Sequence, residues 1–544
     1  MNRKLAGILP FIVICALAQD TVTIRVHPAQ ILGPVKPIWG YFGYDEPNYT
    51  YTANGKKLIG ELGALNRTPV VIRTHNLLTT GDATPALKWG STNAYTEDAA
   101  GKPVYDWTIT DRIFDTYLAA HAKPFVEIGF MPEALSVHPE PYKHTWPNGG
   151  IDTGWAYPPK DYAKWGELVY AWARHCGERY GKAEAASWYW EVWNEPDIMY
   201  WHGTPDEYDK LYDTAVAAVK RALPGAPVGG PASTGPGGAH AAAFLRQFLE
   251  HCRRKSVPLD FISFHAKGAP AIVDGQVRMG IAHQLRDAEE GFKIVAEFPK
   301  FRALPIILSE SDPEGCAACS AKDHPQNAYR NGTTYPAYTA EAMNRLLQVA
   351  EKQRVNLQGM LTWAFEFEDQ PYFAGFRDLA TNGVDKPILN FFRMAGLLTG
   401  DRVRAESSGA LKLDDLVARG AEEHSDVDAL AVHAEHSLGV LVWNYHDRDG
   451  AAASIALTID RPAQMPARVL LRHYRIDDEH SNSYSRWQAV GSPQTPSPEQ
   501  FRDLEQAAQL QLLESPQWLT AEGPALTIHF SLPKQAVSLL ELSW

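Results

Sequence analysis

Between about residues 37 and 400 the chain alternates short apolar runs with stretches of helical period. That alternation predicts parallel strands joined by crossover helices. Eight runs read as strands, at 38–42, 70–75, 124–130, 188–193, 226–230, 261–265, 305–309 and 360–365. Apolar residues recur at helical spacing between several of them, over 161–180, 206–222, 241–253 and 339–352. Eight strand–helix units predict an α/β fold, a TIM (β/α)8 barrel with long loops spanning 37–400.

Past residue 400 the pattern changes. Runs at 440–443, 453–459, 468–474, 525–530 and 537–542 are separated by polar turns with little helix between them. This predicts an accessory C-terminal β-sandwich domain over 401–544. One helix is expected there, over 498–513, with Ser497 as N-cap and Pro498 in its first turn. Residues 21–26, within the segment 19–36, alternate apolar with polar and are expected to add a strand to the sandwich, as chain ends often lie close together.

The first eighteen residues follow another logic. Arg3 and Lys4 precede a mostly apolar stretch, and Ala16-Leu17-Ala18 offers a small-x-small cleavage site before Gln19. Residues 1–18 therefore read as a signal peptide, and the mature protein is expected to be exported, to the periplasm or outside the cell, with no membrane attachment. With 544 residues and 45% hydrophobic composition the chain can bury a large core. A net charge of −13 argues against nucleic acid or an anionic membrane as partner. Four cysteines remain after the leader. Cys316 and Cys319 leave a local disulfide and free thiols both open, while a lone CxxC lacks the second pair that a zinc site needs.

In a TIM barrel, ligands meet the C-terminal ends of the strands. Those ends carry Arg73 and His75, Asn194 and Glu195, His265, Glu310, and then Trp363, Glu366 and Glu368. Glycoside cleavage needs two carboxyl groups flanking one bond. Glu195 and Glu310 end different strands on one face and fit that need. For a retaining reaction Glu195 is read as the acid/base and Glu310 as the nucleophile, with carboxyl groups expected about 5–5.5 Å apart. Asp312 and Glu314 follow closely and are the alternatives to Glu310. Asn194 is expected to bond the sugar 2-hydroxyl, Trp363 to floor the sugar site, and His265, His75, Arg73, Glu366 and Glu368 to contact substrate. Neither chemical step needs a metal or a cofactor, so none is expected.

Several phrases resemble glycoside hydrolase family 39, in particular its bacterial β-xylosidases. They are Glu127-Ile128-Gly129-Phe130-Met131-Pro132, Trp193-Asn194-Glu195-Pro196, Phe261-Ile262-Ser263-Phe264-His265, and Lys386-Pro387 ahead of Phe391-Phe392. His473 to Asp477 and His480 to Tyr484 resemble a segment of the family's β-sandwich. The resemblance implies a retaining hydrolase with Glu195 as acid/base, Glu310 as nucleophile and His265 lining the glycone site. It implies exo-acting release of xylose from an oligosaccharide or polysaccharide, or the same chemistry on an arabinofuranoside, a β-galactoside or a longer exopolysaccharide. A non-catalytic carbohydrate-binding protein is the remaining alternative. Ser309-Glu310-Ser311 departs from the family's usual Thr-Glu-aromatic, as do the loop 312–320 and Ala266-Lys267. All of these surround the glycone pocket and bear on the choice of sugar.

Overall fold

The computed structural model describes residues 21–144, 151–363 and 365–544. The expected signal peptide lies outside the described residues, as does Ala364 within the eighth expected strand. Among the described residues no helix is long and apolar enough to cross a membrane.

The chain opens with β1 (Val22–Pro34), which belongs to a sheet completed only at the far end of the sequence. Next come the barrel strands: β2 (Tyr41–Tyr44), β3 (Val70–Thr74), β4 (Ala122–Ile128), β5 (Tyr189–Val192), β6 (Val228–Ser233), β7 (Phe261–Lys267), β8 (Pro305–Asp312), β9 (Asn356–Met360) and β10 (Thr362–Trp363). All eight expected strands are present, with shifted bounds. Their order is β9-β8-β7-β6-β5-β4-β3-β2-β10, parallel throughout. The eighth strand is broken at Leu361. Its first part, β9, pairs with β8 and its second, β10, with β2, so that the ring nearly closes.

Ring contacts fill the barrel interior. Tyr189 lies 5.4 Å from Phe125, 5.2 Å from Phe261 and 6.4 Å from Tyr41 between ring centroids. This aromatic layer is a packed floor, as barrel interiors require. Gly359 makes room for it, since a Cβ there would lie 2.9 Å from the Tyr41 ring. Outside the ring, α1 (Tyr162–Tyr180) starts on the Asp161 side chain, which accepts from two backbone N–H groups. The next helix, α2 (Pro205–Ala222), starts in a Thr204–Glu207 capping box with Pro205 in its first turn. Further on come α3 (Ala239–Lys255), α4 (Ile281–Ala296) and α5 (Thr334–Gln353).

The β-rich part holds β11 (Asp401–Ser407), β12 (Asp426–Ala434), β13 (Ser437–Tyr445), β14 (Ala453–Asp460), β15 (Arg468–Ile476), β16 (Gln511–Leu512), β17 (Gln517–Thr520), β18 (Ala525–Leu532) and β19 (Val537–Ser543). With β1 they form one ten-stranded sheet, ordered β16-β15-β19-β13-β12-β11-β1-β14-β18, with β17 on β15. Residues 21–26 fall in β1, which lies between β11 and β14 in this sheet. Alternation along β13 explains how the sheet joins the barrel. Leu438, Val440 and Val442 enter a separate apolar core, whereas Leu441, Trp443 and Tyr445 enter the barrel's. The helix expected over 498–513 is shorter, Pro498–Ala507, and its Ser497–Gln500 capping box bears out the start. It stops because Gln511 and Leu512 pair with Arg475 and Tyr474 at the sheet edge.

Candidate active site

Two strand ends build the site. Just past β5, Trp193 (φ 74°) and Glu195 (φ 43°) adopt left-handed backbone, as does Ala232 (φ 52°) on the neighbouring strand. Non-glycine residues there cost about 1–3 kcal/mol each and persist only where the surroundings over-determine them. Here the Glu195 N–H donates to the Ala232 carbonyl at 2.9 Å. The Trp193 indole N–H donates to the Tyr200 carbonyl at 2.8 Å. On the other side, a register shift between Phe264 and His265 sets His265 opposite Glu310, and Lys267 opposite Asp312, in the β7–β8 ladder.

The two glutamates share one histidine. His265 Nδ1 lies 2.8 Å from Glu195 Oε1 and 3.8 Å from Glu310 Oε2. One side-chain oxygen of each glutamate and a nitrogen of His265 lie within 4.8 Å of one another. Their surroundings differ sharply. Glu310 is buried beside two cations and an imidazole: the Lys267 ammonium in direct contact, Arg73 Nη1 at 3.5 Å and His75 Nε2 at 3.6 Å. Burial opposes its ionisation, but Lys267, His265, His75 and Arg73 together hold its carboxyl well below the usual range. Glu195 keeps 15% of its side chain open to solvent and, among the described residues, pairs with His265 and with no lysine or arginine.

These groups line a cavity of about 400 Å³ that also takes in His75, Asn194, Trp363, Tyr200, Lys88 and the loop residues Gly315 and Ala317. Trp363 lies flat against β2 because Gly43 has no side chain; a Cβ there would fall 2.5 Å from the indole. Its ring centroid is 4.1 Å from that of His75. Six of the nine residues expected at the site therefore meet here: Glu195, Glu310, Asn194, His265, His75 and Trp363.

Three do not line the cavity. Arg73 is fully buried behind it, bonded to Glu191 at 2.5 Å, Glu127 at 2.9 Å and Asn194 Oδ1 at 3.0 Å. It orients the residues that line the cavity. Glu366 is buried and accepts the Gly383 N–H at 2.5 Å. Glu368 accepts from the Thr52 hydroxyl and from Asn54 Nδ2 at 3.1 Å, tying down the first turn of the helix Ala53–Gly63. Both glutamates serve backbone and neighbouring elements, because the chain turns away from the cavity after Trp363. The alternatives to Glu310 are likewise committed elsewhere. Asp312 accepts the Trp363 N–H at 2.9 Å, and Glu314 pairs with Arg330 and Arg377 at 2.7 Å each.

Burial raises the Glu366 carboxyl to about 8 from an ordinary 4.5, with Glu368 and Asp378 adding to the shift against the Gly383 N–H and Lys57. A raised folded value means stability present below the unfolded value and lost as pH climbs from about 4.5 towards 8. Glu366→Gln keeps the acceptor for Gly383 and removes that loss. Its melting temperature relative to the parent is expected to rise between pH 5 and pH 9, by about 2–4 °C. A constant difference across that range would show that Glu366 ionises freely in the fold.

Lys267, Asp45 and Lys88 are site residues that strand-end reading missed. Asp45 bonds His75 Nδ1 at 2.7 Å and the Lys88 ammonium, and those two hold its carboxyl well below normal although burial opposes it. The sequence signals for Lys267 were its position two residues past His265, on the same face of a strand, and the departure of Ala266-Lys267 from the family pattern. Glu195, His265 and Glu310 have donor types and spacing that could hold a metal ion. They do not fit one, because Lys267 and Arg73 already bring positive charge to Glu310 and a further cation would be repelled.

The question left open for Cys316 and Cys319 is settled by a disulfide between them. Cys176 and Cys252 are free and buried. The disulfide loop forms one wall of the cavity. Buried Arg330 fastens it, donating to the carbonyls of Cys316 at 2.7 Å, Cys319 at 2.8 Å and Ala317 at 3.3 Å.

The model of Glycosyl hydrolases family 39 matches residues 22–524. A β-xylosidase of Geobacillus stearothermophilus is 28% identical over 465 residues, covering 82% of each chain. An α-L-iduronidase of Mus musculus is 24% identical over 587 residues, covering 97% of this chain and 82% of its own. Among solved structures, a monomeric β-xylosidase from Caulobacter crescentus CB15 superimposes with a TM-score of 0.76 at 22% identity. It covers 96% of this chain and 99% of its own. That likeness speaks to the fold alone.

Proposed function

The chain belongs to glycosyl hydrolase family 39, and we propose that it is a retaining, exo-acting β-xylosidase with Glu310 as nucleophile and Glu195 as acid/base. The observation that carries this reading is the pair of glutamates on His265, with side-chain oxygens within 4.8 Å. An inverting pair stands about 6.5–9.5 Å apart to admit a water, whereas a retaining pair stands about 5–5.5 Å apart.

The steps follow from the surroundings. Glu310, held ionised by its cations, attacks the anomeric carbon. As the bond to the leaving oxygen breaks, the Glu195 carboxyl gives that oxygen its proton. A glycosyl ester on Glu310 results. Glu195, now a carboxylate, takes a proton from water, which attacks the same carbon and releases Glu310. His265 bonds Glu195 and stands close to Glu310, so it steadies the acid/base through both changes of charge. Asn194 accepts from Arg73 through Oδ1, which leaves its amide N–H₂ to meet the 2-hydroxyl. Trp363 supplies an apolar floor. A cavity of about 400 Å³ walled by the disulfide loop supports removal of a terminal sugar rather than cleavage within a long chain.

Lys267 gives a direct test of how the nucleophile is kept ionised. In Lys267→Met the Glu310 pKa loses its largest favourable contribution. The acidic limb of kcat/KM, which reports ionisation in the free enzyme, is expected to move to higher pH. An unmoved acidic limb would take Lys267 out of this role.

Lys267 also favours a second reading, the same chemistry on a glycone bearing a carboxylate, since an ammonium lies at the cavity wall beside the reacting carboxylate. Hydrolysis of nitrophenyl β-D-xyloside, α-L-arabinofuranoside, β-D-galactoside and β-D-glucuronide by the chain from Gln19 onward separates the two. Preference for the xyloside supports the first reading, and preference for the uronide the second. Turnover of none would leave a longer natural substrate or a binding protein.

A further inference from the structure

Glu127 opens a phrase, Glu127 to Pro132, to which the proposed chemical steps give no part, and its surroundings are unusual for a carboxyl group. It sits in β4 directly opposite Glu191 of β5, and both residues are fully buried. Two negative charges facing each other across one ladder repel. The nearby ammonium groups are already engaged: Lys267 touches Glu310, and Lys88 pairs with Asp45. Arg73 therefore brings one positive charge to two buried carboxyls, Glu191 at 2.5 Å and Glu127 at 2.9 Å. With both ionised, one negative charge would stand uncompensated in the barrel interior, a state that burial penalises heavily. One of the two carboxyls has to carry a proton.

Hydrogen-bond directions say which. Arg73 aims its N–H groups at Glu191 Oε2, at Asn194 Oδ1 and at His75 Nε2, the last at 3.2 Å. Among the described residues neither Glu127 oxygen receives an aligned donor. A guanidinium can only donate, so His75 Nε2 accepts and carries no hydrogen. The single ring hydrogen then lies on Nδ1, 2.7 Å from Asp45 Oδ1. Glu127 Oε2 stands 3.2 Å from that bare Nε2. Two lone pairs would face each other there unless Glu127 supplies a hydrogen. Burial raises the Glu127 carboxyl well above its ordinary value, with Glu191, Glu310 and Asp45 adding to the rise against Arg73.

We propose that Glu127 is a positioning residue: it stays protonated, donates its carboxyl hydrogen to His75 Nε2, and so holds a neutral imidazole beside Glu310. The role rests on the reading of Glu310 as nucleophile. His75 lines the cavity 3.6 Å from Glu310 Oε1, with Trp363 against its ring. Fastened at Nδ1 by Asp45 and at Nε2 by Glu127, the ring is fixed in angle and has no proton to give the nucleophile. An imidazolium in its place would donate to Glu310 and blunt its attack. With Glu127 neutral, the Arg73 charge compensates Glu191 and still lies 3.5 Å from Glu310.

The test is infrared difference spectroscopy on the full mature chain in D₂O at neutral pH, Glu127→Gln minus parent. Loss of the C=O stretch of a protonated carboxyl is expected. Loss of carboxylate bands in its place would overturn the proposal. Kinetics give the positioning role a readout of its own. On the best substrate of the nitrophenyl panel, Glu127→Leu is expected to lower kcat by about tenfold, the worth of one hydrogen bond to a buried group, with little change in KM. Glu127→Gln, whose amide can donate to Nε2 in the same way, should recover most of that loss. A leucine variant as fast as the parent, or no recovery with glutamine, would remove the role. Should Glu127→Leu fail to fold, the infrared spectrum of Glu127→Gln still decides. If Glu310 is not the nucleophile, covalent labelling falls on another residue while the infrared result stands.

Discussion

Glu310→Gln is expected to lower kcat on every glycoside by about 10⁴–10⁶-fold, as loss of an enzymic nucleophile does elsewhere. Sugar binding should survive. The amide keeps the size of the carboxylate, and Lys267 retains Asp312 at 3.5 Å, so the cavity wall has no cause to collapse. What disappears is the negative charge that faces the Lys267 and Arg73 cations, and with it the covalent ester. Attack by water on the same carbon cannot replace it, because the oxygens of Glu195 and Glu310 are too close to admit a water between acid and base. A slow mechanism-based substrate, the 2-deoxy-2-fluoro xyloside with a dinitrophenyl leaving group, should label the parent on the peptide carrying Glu310. Labelling of Asp312 or Glu314 instead would reassign the nucleophile. The structure argues against both, since one holds the Trp363 backbone and the other two buried arginines.

Glu195→Ala should behave differently, and the difference is diagnostic. Its proton is needed only where the departing oxygen is basic. On xylobiose, a poor leaving group, the loss is expected to reach about 10²–10⁴-fold, the usual range for a general acid. On dinitrophenyl xyloside the first step needs no acid, so ester formation stays fast while its hydrolysis slows. A burst of dinitrophenol followed by a slow steady state is the expected trace. Added azide, which attacks without help from a base, should speed that steady state. Equal loss on both substrates, with no burst, would sink the assignment.

Much of this was legible from residue order because a barrel strand ends where its apolar run ends, and the next polar side chain then faces the ligand. That logic found Glu195, Asn194, His265 and Glu310. It failed where a side chain's partner comes from a distant part of the chain. Arg73 ends a strand as His75 does, yet Glu127 and Glu191, from the next two strands of the ring, draw it beneath the cavity. Glu366 and Glu368 continue the eighth strand on paper, but β10 is only two residues long and the chain then bends towards Gly383 and Thr52. Lys267 was hidden for the opposite reason. β7 runs two residues past His265, and only its register with β8 shows that the ammonium lands on Glu310. In the β-rich part, β11 escaped notice because six of its seven residues are not deeply buried, so Asp401 to Ser407 carries almost no apolar signal.

The position of β1 has a consequence for how the molecule is made. A strand that leaves the ribosome first must wait for β11 and β14, which are synthesised only after the whole barrel, before its ladders can close. Until then its two hydrogen-bonding edges are open, and the ten-stranded sheet exists as two unjoined pieces. The barrel thus sits inside a closed loop whose clasp is fastened last. A force pulling the two ends of the chain apart would strip that clasp before it reached Glu195 and Glu310, which are held by the barrel's own register. A fragment lacking the last hundred residues would keep β11 but lack β14 and every later strand, so one edge of β1 would stay open.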